Sequence, residues 1–112
     1  MTMKVTTKGH TTIIKDTEGN IVEFLEKIDS QYNSFKEYNL ILDISNDKSV
    51  DIKSIQIFSE LAKKHKKEKK SLVFVVKDLD YNKVPVSITV VPTQLEAQDL
   101  IEMDEIERDL GF

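Results

Sequence analysis

Residues 41–55 read ILDISNDKSVDIKSI, and this stretch decides the predicted fold because an apolar segment runs through a polar loop into a second apolar pattern. The run at residues 40–44 is almost continuously apolar, which is typical of a central strand covered by helices. Asp51 is positioned to cap the helix that follows. That helix is indicated by apolar side chains at helical spacing: Ile52, Ile55, Phe58, Leu61 and Ala62.

The sequence before this stretch predicts two strands and one long helix. Residues 3–7 and 11–15 are short runs rich in β-branched side chains, and Lys8-Gly9-His10 between them is typical of an antiparallel hairpin. Turn and capping residues at 16–20 then precede a helix. One face of that helix carries apolar side chains spaced by three and four positions: Ile21, Leu25, Ile28, Tyr32 and Phe35.

The sequence after this stretch predicts two more strands and a last helix. Residues 72–76 and 88–91 are the strand-like segments. Thr93-Gln94-Leu95-Glu96 matches the capping box, in which a Thr hydroxyl accepts from an early backbone N–H, and Gly111 is positioned to end the helix. Six side chains form the predicted apolar stripe of this helix: Ala97, Leu100, Ile101, Met103, Ile106 and Leu110.

The order of these elements favours an α/β fold. Alternating strands and helices predict a mixed sheet of four to five strands, because a helix between two parallel strands buries its apolar face on the sheet. About three helices would cover that sheet. The chain has 112 residues, of which 39% are hydrophobic and 32% charged, so we expect a single domain over residues 1–112.

Composition argues against several classes of protein. The chain contains no cysteine, which removes disulfides, thiolate nucleophiles and cysteine-based zinc sites. Its apolar runs are far shorter than a transmembrane helix requires. The first ten residues, MTMKVTTKGH, lack the apolar core of a signal peptide. We therefore expect a cytoplasmic protein that does not contact a membrane.

Charge is unevenly distributed along the chain. The formal net charge of −4 argues against nucleic acid as a partner. We interpret the one basic segment as a solvated helix end, since cations offset the negative end of the helix dipole and no aromatic residues are interleaved for base stacking. This basic cluster consists of Lys63, Lys64, Lys66, Lys67, Lys69 and Lys70. The acidic C-terminal segment contains Glu96, Asp99, Glu102, Asp104, Glu105, Glu107 and Asp109.

Few residues are candidates for chemistry. Asp43, Asp47 and Asp51 lie four apart, but a calcium loop requires alternate spacing and a glycine, so we interpret them as a strand end, a solvated side chain and a helix cap. His10 falls in a turn, and His65 falls at the margin of a buried helix face. With no second histidine or cysteine near either, we expect no catalytic residue, metal site or cofactor.

Several stretches together resemble the STAS domain, the fold of bacterial anti-sigma factor antagonists and of the cytoplasmic tails of sulfate transporters. In that family a hydrophobic strand ending in an acidic residue leads through a loop to an Asp-Ser-Ser-Gly motif, which starts an amphipathic helix. Here residues 40–44 resemble the strand, Asp51 falls at the Asp of the motif, and residues 55–65 resemble the helix. Residues 72–76 look like the next strand, and residues 90–97, VVPTQLEA, are similar to the entry into the last helix.

The phosphorylation motif of the family is altered here. Ile52, Lys53 and Ser54 stand where family members carry two serines and a glycine, so Lys53 replaces the usual phosphate acceptor. A register shifted by one would make Ser54 the acceptor, and an earlier motif would make it Ser49. The resemblance implies a non-catalytic regulatory module that binds a protein partner, without serine phosphorylation. The predicted binding surface is Asp51, Ile52, Lys53 and Ser54.

Two alternatives use the charged segments. An RNA-processing or nuclease-related factor would hold phosphates with the basic cluster and bind Mg²⁺ through Asp43 and Asp51. Ribonuclease Z activity itself is not supported, because its metal site resembles the HxHxDH pattern and this chain has two histidines in 112 residues. A homodimer would place the acidic C-terminal segment of one copy against the basic cluster of another.

Overall fold

One mixed sheet forms the centre of the molecule, which is described here from a computed structural model. The structure describes residues 3–17, 19–45, 52–77, 79, 81–84 and 88–111. Within them the five strands are β1 (Met3–Lys8), β2 (Thr11–Asp16), β3 (Asn39–Asp43), β4 (Leu72–Val75) and β5 (Thr89–Val91). They lie side by side in that order, with β1 antiparallel to β2 and the other neighbours parallel. The predicted α/β class with a mixed sheet is confirmed.

Helices cover both faces of this sheet. In the described part of the chain they are α1 (Ile21–Ser30), α2 (Tyr32–Phe35), α3 (Ile52–Gln56), α4 (Ser59–Lys67) and α5 (Gln94–Asp109), with a short 3₁₀ helix at Tyr81–Lys83. Three of them, α1, α4 and α5, are longer than two turns, in agreement with the predicted number. Among the described helices, none combines the length and apolar composition that crossing a bilayer requires.

The hairpin between β1 and β2 follows the sequence pattern closely. Lys8 pairs with Thr11, which leaves Gly9 and His10 as a two-residue connection. Gly9 has a φ of +59°, a left-handed conformation that a residue without a Cβ adopts at little cost. The turn residue and the strand register therefore support each other.

Two helices that the apolar spacing predicts as continuous are each broken in the structure. The first is interrupted at Gln31, whose N–H donates to the Ile28 carbonyl at 3.1 Å. The second is interrupted at Ile57 and Phe58. At this break the Phe58 ring packs edge-to-face on Phe24 and Phe74, with centroids 6.5 and 4.9 Å away. The second break therefore coincides with the aromatic cluster of the larger core.

Side chains of β3 alternate between two hydrophobic cores. Leu40 and Leu42 point into the larger core, which is built with α1, α2, α3 and α4. Ile41 points to the opposite face, where α5 lies. The smaller core there consists of Ile13, Ile41, Val73, Val75, Val91, Ala97 and Ile101, with Leu100 partly buried against it.

The structure corrects the predicted apolar stripe of the last helix. Ala97 and Ile101 are buried on the sheet, whereas Met103, Ile106 and Leu110 are 58%, 59% and 66% exposed. At about 100° per residue, these three side chains fall on the side of α5 that faces away from Ala97 and Ile101. The apolar residues of α5 thus form two separate faces, and only one of them is covered by the rest of the described chain.

Candidate functional site

The described part of the predicted binding surface lies at the start of α3. Lys53 is exposed, and Ile52 and Ser54 are half-buried. Asp51 and Ser49 lie outside the described residues, so the cap and the alternative acceptor stay predictions. The structure therefore presents the Lys53 side chain to solvent, next to the half-buried Ile52.

An exposed apolar side chain follows Lys53 after one helical turn. Ile57 lies four positions further on, directly after the last residue of α3, and it is 40% exposed. A shallow pocket of about 220 Å³ lies beside it, between α1 and α4. Its lining residues are Leu25, Asp29, Ile57, Glu60, Leu61 and Lys64. The region thus combines the exposed Lys53 and Ile57 with a shallow groove, and the wall of that groove also carries charges of both signs.

The strand that leads towards this surface ends in a buried carboxylate. Oδ1 of Asp43 accepts from the backbone N–H of Ser45 at 2.9 Å and from its hydroxyl at 2.6 Å, while Oδ2 accepts from Nε2 of Gln94 at 2.6 Å. Burial by itself raises the pKa of Asp43, but these hydrogen bonds and the nearby charge of Lys15 outweigh it, so the pKa lies below its usual value. Asp43 is therefore an ionised link between the end of β3 and the start of α5.

The three aspartates at the strand–loop–helix junction are the candidate metal ligands of the sequence. Asp43 ends its strand as predicted, and both of its oxygens accept hydrogen bonds from protein groups. Asp47 and Asp51 lie outside the described residues. Within the residues that the structure describes, no group of three His, Asp or Glu side chains is arranged to hold a metal ion.

The basic cluster and Asp43 lie at opposite ends of the parallel strands β3 and β4. Ser71 directly follows the cluster, and its backbone carbonyl accepts from the Leu40 N–H at 2.8 Å. This hydrogen bond lies at the beginning of β3 and β4. Asp43 pairs with Val75 at the other ends of these parallel strands. Leu40 and Asp43 are three residues apart along β3, and at about 3.3 Å per residue the two ends are separated by about 10 Å. The structure does not bring together the lysines and the carboxylate that the RNA-processing alternative combines.

Part of the basic cluster lines a pocket at the amino-terminal edge of β4. This pocket has a volume of about 340 Å³ and contains Lys66, Lys70 and Arg108 in its wall. Two carboxylates, Asp104 and Glu107, also line it. The charged side chains of the wall therefore sum to a positive charge, because three cations face two anions.

Arg108 takes part in a polar network that sequence reasoning missed. Its guanidinium donates to Oγ of Ser71 and to Oδ1 of Asn39, each at 3.2 Å. The Ser71 hydroxyl donates to Asp104 at 2.8 Å, and the Ser71 N–H donates to Oδ1 of the fully buried Asn39 at 2.9 Å. The only sequence signal was a polar residue directly before the apolar run of β3. The network joins the starts of β3 and β4 to the end of α5.

The basic cluster ends α4 in a Schellman motif. The Lys69 N–H donates to the Lys66 carbonyl at 2.9 Å, and the Lys70 N–H donates to the His65 carbonyl at 3.4 Å. Lys69 has a φ of +60°, the conformation that usually selects glycine at this position. The lysines lie at the carboxyl end of the helix dipole, where the sequence interpretation placed them.

His65 is fully buried, which corrects its predicted place at the margin of the helix face. Nε2 lies 2.8 Å from the Tyr38 carbonyl, and Nδ1 lies 2.8 Å from the Tyr32 hydroxyl. Because a carbonyl only accepts, Nε2 carries the proton and Nδ1 accepts from Tyr32. Burial lowers the pKa of His65 and, together with the charge of Glu68, raises the pKa of Tyr32. The pair is therefore neutral and joins α4 to α2.

His10 lies in the hairpin turn, as predicted. Its Nδ1 is 3.2 Å from a carboxylate oxygen of Glu105, and its side chain is 81% exposed. His10 thus forms a surface contact between the hairpin and α5, whereas His65 is fully buried.

Comparison with known proteins identifies no family for this chain. No family model matches the sequence, and a search of curated proteins finds no significant match. The α/β fold rests on the structure, and the STAS-like assignment rests on the residue pattern.

Proposed function

We propose that the chain is a non-catalytic protein-binding module, similar to an anti-sigma factor antagonist of the STAS type, that contacts its partner through the start of α3. One observation carries the proposal: the exposed Lys53 near the start of α3 is followed, directly after that helix, by the exposed Ile57, which lines a shallow groove. Lys53 stands where the resembled family has its modifiable serine, so its charge is permanent. The absence of cysteine fits a reducing cytoplasm as the compartment.

The chemistry of the surface defines what the partner must offer. Binding is favoured when a partner removes the apolar area of Ile57 from water, because this lowers the free energy of the complex. Lys53 favours an acidic group on the partner at the rim of that contact, where charge pairs contribute more to specificity and association rate than to affinity. The fully buried Ile55 packs α3 on the larger core.

Affinity capture from a lysate of the source cells tests this proposal. The immobilised full chain should retain a defined protein, and Lys53→Glu and Ile57→Ser should each lose it. Lys4→Glu is the matched control, because Lys4 is also an exposed lysine but lies on β1. Circular dichroism confirms that each variant is folded. Retained proteins that are identical for all four chains would contradict the proposal.

A second candidate function, binding of RNA or another phosphate-bearing molecule, is favoured by the single pocket that contains Lys66, Lys70 and Arg108. Titration with a single-stranded RNA oligonucleotide at low salt tests it, with and without Mg²⁺. Phosphate binding should weaken steeply as salt rises, and it should be lost in Lys66→Ala/Lys70→Ala but not in Lys4→Ala/Lys8→Ala. A flat titration in all conditions would end this candidate.

A further inference from the structure

Helix α5 has a second apolar face that the described chain leaves uncovered. We call it the outer stripe, and it consists of Leu95, Met103, Ile106 and Leu110, which are 68%, 58%, 59% and 66% exposed. At about 100° per residue the four side chains fall within an arc of about 80°. The centre of that arc lies about 180° from the midpoint between Ala97 and Ile101, which face the sheet. The outer stripe is therefore opposite the buried face.

The outer stripe differs from an ordinary helix surface. Single exposed apolar residues are common and need no explanation. An amphipathic helix on a sheet, however, normally carries polar residues on its solvent side. Three of the four, Met103, Ile106 and Leu110, lie within about two helical turns of one another, and such a group of exposed large apolar side chains is typical of a surface that meets another molecule.

Acidic side chains border the outer stripe on both sides. Glu102 and Asp109 project along one border, and Glu96 and Glu107 along the other, with all four exposed. Asp99 is exposed within the stripe itself. The single basic residue of α5, Arg108, donates inward to Ser71 and Asn39 and does not neutralise this face. The uncovered surface is thus apolar except at Asp99, which lies between Leu95 and Met103, and it is negative along both borders.

We propose that the outer stripe docks an amphipathic helical segment of a partner protein whose apolar face is bordered by lysine or arginine. Helix-on-helix docking uses apolar anchors spaced by three, four and seven positions, and Met103, Ile106 and Leu110 have this spacing. The stripe from Leu95 to Leu110 is about 22 Å long, which matches about four helical turns of a bound segment. The acidic borders select a basic flank by charge complementarity.

A second copy of the chain fits this surface less well. Two outer stripes facing each other would place like charges along both borders. The basic cluster has the complementary charge, but the exposed residues of α4 are Glu60, Lys63, Lys64, Lys66 and Lys67, with no apolar side chain among them. A separate amphipathic segment satisfies both the apolar and the charge requirement.

The outer stripe is independent of the surface at Lys53. The helices α3 and α4 contribute Ile55, Phe58 and Leu61 to the larger core, and α5 contributes Ala97 and Ile101 to the smaller core on the other face of the sheet. The two surfaces therefore lie on opposite sides of the molecule, and both can be occupied at once.

A designed peptide pair tests the proposal on the full chain. The probe is a fluorescein-labelled 18-residue helix of leucine and lysine, with leucine at positions spaced by three and four, and the reference is a scrambled peptide of the same composition. Fluorescence anisotropy at a salt concentration near 150 mM should give at least tenfold tighter binding of the amphipathic probe. Equal affinity for the two peptides would overturn the proposal.

Variants localise the binding site. Met103→Ser/Ile106→Ser should weaken probe binding at least tenfold, and the exposed Val22→Ser on α1 should leave it unchanged. Lys53→Glu should also leave it unchanged, so failure of this proposal is distinguishable from failure of the one at α3. Unchanged affinity in the double variant would overturn the assignment to the outer stripe.

Light scattering over a range of concentrations decides between a partner and a second copy. The proposal expects a monomer whose apparent mass does not depend on concentration. A dimer that dissociates in Met103→Ser/Ile106→Ser would make a second copy the occupant, and would overturn the assignment to a separate basic segment.

Discussion

The Tyr32 hydroxyl donates to Nδ1 of His65 across 2.8 Å, and both side chains are buried. The opposite ring nitrogen donates to the Tyr38 carbonyl, so both polar atoms of the imidazole have partners. Lys64 lies over the Tyr32 ring, with Nζ 4.5 Å from its centroid. This hydrogen bond joins the carboxyl-terminal half of α4 to α2, the short helix before β3.

Tyr32→Phe should lower the free energy of unfolding by about 1–3 kcal/mol, because it leaves Nδ1 of a buried imidazole without a donor. Tyr38→Phe is the matched control. The Tyr38 hydroxyl has no hydrogen bond within the described residues, so its loss should change stability by less than about 0.5 kcal/mol. Urea denaturation of the three proteins measures the difference, and equal losses would contradict the role of the Tyr32 hydroxyl.

Stability should fall as pH decreases below about 6.5, because burial lowers the pKa of His65 in the folded state. Between the two pKa values the unfolded chain binds the proton and the folded chain does not, so acid favours unfolding. One proton limits the slope to about 1.4 kcal/mol per pH unit. Urea denaturation from pH 7.5 to 5.5 should show this slope in His10→Gln and a flatter one in His65→Gln. The same slope in both variants would disprove the prediction.

Asp43→Asn should cost about 1.5–3 kcal/mol, because it replaces a charged acceptor and turns an amide N–H towards the donors of Ser45 or Gln94. The exposed Asp99 provides the control, and Asp99→Asn should have an effect below about 0.5 kcal/mol. The folded-state pKa of Asp43 is lowered, so its contribution is present above about pH 4 and is lost as pH falls through the folded-state value. Urea midpoints at pH 7 and pH 3 measure both effects.

Lys69→Gly should stabilise the protein by about 0.5–1 kcal/mol, because a glycine adopts the left-handed conformation of this position without the steric cost of a Cβ. Lys67→Gly, two residues earlier and inside α4, should instead destabilise by about 1 kcal/mol. Thermal unfolding of both variants and of the unaltered chain measures whether each substitution raises or lowers stability. A loss of stability in both would show that Lys69 is not strained.

Two isoleucines of α5 should respond very differently to the same substitution. Ile101→Ala removes a side chain that is 2% exposed and should cost about 2–5 kcal/mol, whereas Ile106→Ala removes one that is 59% exposed and should cost less than about 0.5 kcal/mol. Urea denaturation of the isolated chain measures both. A large loss in Ile106→Ala would mean that the outer stripe is already covered within the chain.

Local signals predicted much of the fold. The glycine of the hairpin appears at its positive φ, and the Thr93 hydroxyl accepts from the Glu96 N–H at 3.2 Å as the capping box requires. Asp43 ends a fully buried central strand, also as predicted. These features follow from neighbouring residues, through turn conformation, capping and side-chain alternation, and so they can be inferred before any tertiary contact is known.

The candidate surfaces were predicted less completely. Lys53 was predicted from its position in a pattern, whereas the groove beside Ile57 was not, because it forms between α1 and α4, which are distant in the sequence. The meeting of Lys66 and Lys70 with Arg108 was not predictable, because about forty residues separate them in the sequence.

The sequence by itself determined the strands, the approximate positions of the helices and their alternation into a mixed sheet, because apolar periodicity and turn chemistry act between residues a few positions apart. Only the tertiary structure decided which side of α5 is buried, that His65 is a neutral core residue, and where the basic cluster meets Arg108. Those outcomes depend on which surfaces bury the most apolar area together and on polar partners brought in from distant segments.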